Sequence, residues 1–138
     1  KTILAPQIHF SVKGLIIKDK KFLVLHKVSP RCEYFDLPGG KMKNNESAEE
    51  TLQREILEET SLLIKPISVL HQWDFVNQDY LIMGIIYLCQ PLTEEIQLSE
   101  EHDYYEWIPL NEESIQSLTP SLANAMSHLN LDNVKTIN

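Results

Sequence analysis

Between Gly40 and Leu62 the chain carries two features suited to phosphate chemistry. One is the glycine pair after Pro38, and the other is a knot of charged residues, Arg54, Glu55, Glu58 and Glu59. An α-helix advances about 100° per residue, so with Glu55 at zero Glu59 falls near +40° and Glu58 near −60°. On the same wheel Ala48, Leu52, Ile56 and Leu63 fill roughly +20° to +100°. Glu59 therefore lies inside the apolar stripe and Glu55 at its border, whereas the acids of a solvated face would lie opposite it. Carboxylates crowded at a partly buried edge take up protons unless a cation compensates them. Mg²⁺ prefers oxygen ligands and is commonly held by carboxylates plus substrate phosphates. Arg54 stands i,i+4 from Glu58 and can pair with it. Metal binding is thus favoured over a solvated acidic face.

These residues need a helix to display them. Ser47 is placed to cap it and Glu50 stands three residues on, the S-x-x-E capping box. The helix is expected to end near 61–64, before Pro66. Ahead of it, 29–40 reads as a loop ending in Leu37-Pro38-Gly39-Gly40. Apolar, β-branched runs at 8–17 and 22–25 flank a short polar link and predict a hairpin or neighbouring strands. A second hairpin is predicted from 69–75 and 80–89 across Val76-Asn77-Gln78-Asp79. Residues 94–103 read as an acidic loop and 105–108 as a short strand stopped by Pro109. Asn111 can cap a short helix with Ile115 and Leu118. Thr119-Pro120 opens a last helix whose Leu122, Ala125, Met126 and Leu129 face the core. The order predicts a mixed sheet with a central helix and a C-terminal helix, an α/β sandwich in one domain spanning 1–138.

The bulk composition narrows the function. The net charge of −8 leaves no basic footprint for duplex nucleic acid or an anionic membrane surface, and only bound cations would reverse its repulsion of phosphates. No apolar run reaches the length of a membrane span or marks a secretion signal. Cys32 and Cys89 form neither a disulfide framework nor a zinc motif and fit a reducing, cytoplasmic compartment.

Spacing sharpens the reading further. Gly40, Glu46, Arg54-Glu55-Ile56, Glu58-Glu59 and Leu62 resemble the Nudix box, G-x5-E-x7-R-E-U-x-E-E-x-G-U with U a bulky aliphatic residue. Eight of its nine specified positions match, and Ser61 stands where the pattern has glycine. Glycine just past a helix end relieves a left-handed backbone, so serine there is expected to lower stability by about 1 kcal/mol without removing a ligand.

The resemblance implies a Nudix-type α/β/α sandwich with a mixed β-sheet between the Nudix helix and a C-terminal helix. It also implies a hydrolase that cleaves a nucleoside diphosphate linked to another moiety, using Mg²⁺ or Mn²⁺ and water. By position, Glu55 and Glu59 would be the main metal ligands, with Glu58 assisting and the Gly40 carbonyl contributing. Glu46 and Arg54 would orient the carboxylates. Glu100 and Glu101 are candidates for the extra carboxylate such enzymes often use, and Glu101-His102 ahead of Trp107-Ile108 favours Glu101. Small members often act on nucleoside triphosphates, which is the substrate favoured here, as monomers or homodimers. The alternatives are diadenosine polyphosphates, nucleotide sugars, ADP-ribose, or a non-catalytic nucleotide-binding module.

Several residues remain. Tyr34 and Phe35, before the box, are the favoured base contacts, and Arg31 could reach a phosphate. Trp73, Phe75 and Tyr80 could stack on a base but are read as core. His102 is read as an exposed loop histidine. His9, His26, His71 and His128 lack ligand spacing and are read as structural.

Overall fold

A computed structural model describes residues 7–28, 33–76 and 78–135. Arg31, Cys32 and Asn77 fall outside them. The chain runs β1 (Gln7–Lys18), β2 (Lys21–Lys27), β3 (Gly39–Lys41), α1 (Ala48–Thr60), β4 (Ile64–Val76), β5 (Tyr80–Pro91), β6 (His102–Pro109), α2 (Glu112–Ile115), α3 (Pro120–Met126) and α4 (Leu131–Lys135).

The strands form one sheet in the order β4-β5-β1-β2-β6, with β3 paired to β1 beside β2. It is mixed, since β1 runs parallel to β5 but antiparallel to β2 and β3. Both predicted hairpins form. In the first, Asp19 and Lys20 both take positive φ, as a two-residue turn between right-twisted strands requires. Pro66 is tolerated because β4 is an edge strand and its register shifts there.

The apolar runs reflect burial on both faces. Leu23 and Leu25 face α1 with Val12 and Ile16, against Leu52 and Ile56. Phe22 and Val24 face the other way with Leu15 and Ile17, against Ile115, Leu118, Leu122 and Met126 of the C-terminal helices. All four residues of 22–25 are fully buried, and each such side chain contributes about 1.5–3 kcal/mol. This is the expected α/β/α arrangement.

The differences from expectation are local. Gly39–Lys41 pairs with Ser11–Lys13 as a short strand where a loop end was expected. β6 begins at His102 rather than 105. The last predicted helix stops at Met126, and Leu129 packs on the core from beyond it. Leu63 lies past the end of α1 and is half-exposed, so it does not belong to the stripe.

Candidate active site

α1 begins as the sequence predicts. The Ser47 side chain accepts the N–H of Glu50, whose carboxylate accepts the N–H of Ser47 in return. Its end explains Ser61. That residue is left-handed, φ 68°, and its Oγ donates to the carbonyl of Gln97 at 3.2 Å. The hydroxyl thus secures a bond that glycine would lack. The last carbonyls of α1 are taken by the segment between β5 and β6, Gln97 N–H on Thr60 and Ser99 N–H on Glu59. These bonds tie the segment carrying Glu101 and His102 to the helix end.

Arg54 organises the acids. Its guanidinium grips Glu46 through two nitrogens and reaches Glu55 at 3.4 Å and Glu58 at 3.3 Å. Glu46 also accepts from Thr51 Oγ1 and the Lys43 N–H. The Arg54 hydrogen bond, followed by that from the Lys43 backbone, holds the Glu46 carboxyl down at about 2.

Glu59 has the opposite fate. It is buried, as its wheel position implied, and burial pushes its carboxyl up to about 8 against the pull of Lys13 and the Gly39 N–H. That N–H donates to Glu59 Oε1 at 2.8 Å. Gly39 has φ +145°, and a Cβ there would overlap the Val12 carbonyl. At Gly40 a Cβ would overlap the Glu55 carboxylate, which lies directly on the bare backbone. Burial also raises the Glu55 carboxyl, opposed by Arg54 and reinforced by Glu58.

Glu55 and Glu59 open into a cavity of about 570 Å³ that Gly39, Gly40, Lys41 and Glu101 also line. Its size suits a small-molecule ligand. Glu58 is turned toward solvent and Arg54 instead. Among the described residues no three His, Cys, Asp or Glu side chains are gathered as a complete metal cage.

The expected base contacts lie elsewhere. Tyr34 is exposed, and Phe35 stacks on Tyr104 at 6.2 Å; neither lines this cavity. Trp73, Phe75 and Tyr80 do line it, because the β4–β5 hairpin forms one wall. His102, read as exposed, is buried, with Nε2 4.0 Å from Glu59 and no protein partner on Nδ1. Sequence reasoning also passed over Lys13 and Asp36, paired at 3.1 Å in the cavity wall. A lysine inside the apolar run of β1 was the available signal.

A model of the NUDIX domain matches residues 8–129. An ADP-ribose pyrophosphatase of Methanocaldococcus jannaschii is 32% identical over 104 residues, 73% of this chain and 62% of that protein. A putative 8-oxo-dGTP diphosphatase of Bacillus subtilis is 32% identical over 72 residues, 52% of this chain and 43% of that protein. The chain therefore spans less than two thirds of the length of these curated relatives. The crystal structure of a MutT protein from Methanosarcina mazei Go1 superposes with a TM-score of 0.83 at 28% identity, covering 95% of this chain and 99% of that one. With Gly40, Glu55 and Glu59 of the box lining one cavity and the family model spanning most of its length, the chain belongs to the NUDIX domain family.

Proposed function

We propose that this protein is a divalent-cation-dependent pyrophosphohydrolase that cleaves a nucleoside diphosphate linked to another moiety. The observation that carries this reading is the pair Glu55 and Glu59, two carboxylates at one cavity, one seated on bare glycine backbone and the other buried. Such a hard oxygen donor set suits Mg²⁺ or Mn²⁺. Glu55 and Glu59 would hold the ion, with the Gly40 carbonyl and Glu58 assisting. When bound, it neutralises phosphate oxygens and makes a water acidic enough to attack phosphorus at neutral pH.

The protein's own groups do the rest. Arg54 and Glu46 fix the direction of Glu55 and Glu58, and the Gly39 N–H fixes Glu59. Glu101 borders the same cavity on an exposed turn and is the candidate to take a proton from the attacking water. Nucleoside triphosphates are the favoured substrates. The named activities of the two curated relatives point to ADP-ribose and oxidised purine triphosphates as further members of the same panel.

The test is a set of nucleoside diphosphate derivatives and triphosphates assayed with Mg²⁺ and with Mn²⁺. Cation-dependent release of a nucleoside monophosphate is expected. Binding without turnover of any member at high protein concentration would instead make the protein a nucleotide-binding module.

A further inference from the structure

One feature of the cavity is assigned neither to the cation nor to the attacking water, although Lys13 also pulls on the Glu59 carboxyl. Lys13 and Asp36 form an ion pair whose side chains are only 12% and 26% exposed, set in the cavity wall. A buried ion pair is weak evidence of a stabilising role, since replacing both partners by apolar residues is often neutral. Lys13 also interrupts a strand that is otherwise apolar from Val12 to Ile17 apart from Gly14.

The surroundings indicate what the pair meets. Trp73, Phe75 and Tyr80 line the same cavity, and Phe75 and Tyr80 lie with ring centroids 6.2 Å apart. Flat aromatic walls suit a planar ring. An ammonium can only donate and a carboxylate can only accept, so a ring edge meeting both must place an acceptor beside donors. Guanine has O6 next to N1–H and the N2 amino group. Adenine and cytosine offer one donor group beside their acceptor, and uracil flanks its single N–H with a second carbonyl that a carboxylate repels.

We propose that the Lys13–Asp36 pair reads the base, selecting nucleotides whose ring edge carries an acceptor next to two donors, as guanine does. This rests on the nucleotide reading of the cavity. The pair contacts the base and takes no part in the bond cleavage.

The experiment measures binding of GMP, AMP, CMP, UMP and dGMP to the whole protein by calorimetry without added metal. Hydrolysis of the corresponding triphosphates with Mg²⁺ is measured alongside. Wild type is expected to bind GMP and dGMP at least about tenfold more tightly than the other three. Lys13→Met and Asp36→Asn should each reduce that preference to within about threefold. Thermal melting checks the fold, and Asp36→Asn, nearly isosteric, decides the matter if Lys13→Met does not fold.

Three results would overturn the proposal: equal weakening for all bases, an unchanged preference, or a preference that follows the ribose 2′-hydroxyl. Because monophosphate binding is read without turnover, the two readings fail separately. A guanine preference without hydrolysis contradicts only the hydrolase reading, while hydrolysis without base discrimination contradicts only this one.

Discussion

Glu59 and Glu46 belong to one acidic cluster, yet their surroundings drive them in opposite directions. Burial raises Glu59 from 4.5 to about 8, so its protonated form is favoured by folding. Its contribution to stability is therefore complete below about pH 4.5 and is lost as pH rises through about 8. Pairing with Arg54 lowers Glu46 from 4.5 to about 2, so its contribution is present above 4.5 and lost as pH falls toward 2. Melting curves of the cation-free protein should thus show stability declining from mildly acidic to mildly alkaline pH. Glu59→Gln should flatten that decline, and a variant that kept it would place its source elsewhere. Gly40→Ala tests the other carboxylate. Its methyl group must displace Glu55, so turnover is expected to fall roughly a hundredfold with secondary structure intact by circular dichroism.

At the scale of elements, α1 carries the chemistry and its two ends hold it in place. The capping box was legible from Ser47 and Glu50, and the buried Glu59 from its place on the helical wheel. The left-handed conformation at Ser61 was legible too, but its compensation was not, because Gln97 reaches it across the fold. Ser61→Gly exchanges that hydrogen bond for backbone relief and is expected to change stability by less than about 1 kcal/mol. Ser61→Ala loses the bond without the relief and should destabilise by about 0.5–1.5 kcal/mol in urea unfolding. Equal stability of the alanine and wild-type proteins would show the Gln97 bond to be worthless. The burial of His102 was hidden for the same kind of reason. It arises when 97–99 close over the end of α1 and β6 starts early, and nothing within Glu101-His102-Asp103 signals either event.

For the whole molecule, the order of strands and helices and the sandwich they form could be read from apolar periodicity, turn residues and caps. Beyond Gly40, Glu55, Glu59 and Glu101, the composition of the cavity could not. Lys13 and Asp36 meet from β1 and the loop before β3, and the aromatic wall is supplied by the β4–β5 hairpin, so the cavity exists only once distant segments are packed. The net charge of −8 has a consequence at this scale. A site able to reverse the local field must bind divalent cations, so millimolar Mn²⁺ or Mg²⁺ should raise the melting temperature and EDTA should reverse the rise. Absence of any shift would favour a purely structural acidic helix.

The central claim is that Glu59 belongs to a cation-dependent hydrolytic site. It is tested most directly by comparing Mg²⁺-dependent release of nucleoside monophosphate by wild type and Glu59→Gln on the best substrate of the panel. Turnover by wild type that EDTA abolishes, with a loss of at least about a hundredfold in the folded variant, is the result predicted. Hydrolysis by Glu59→Gln as fast as wild type would contradict it.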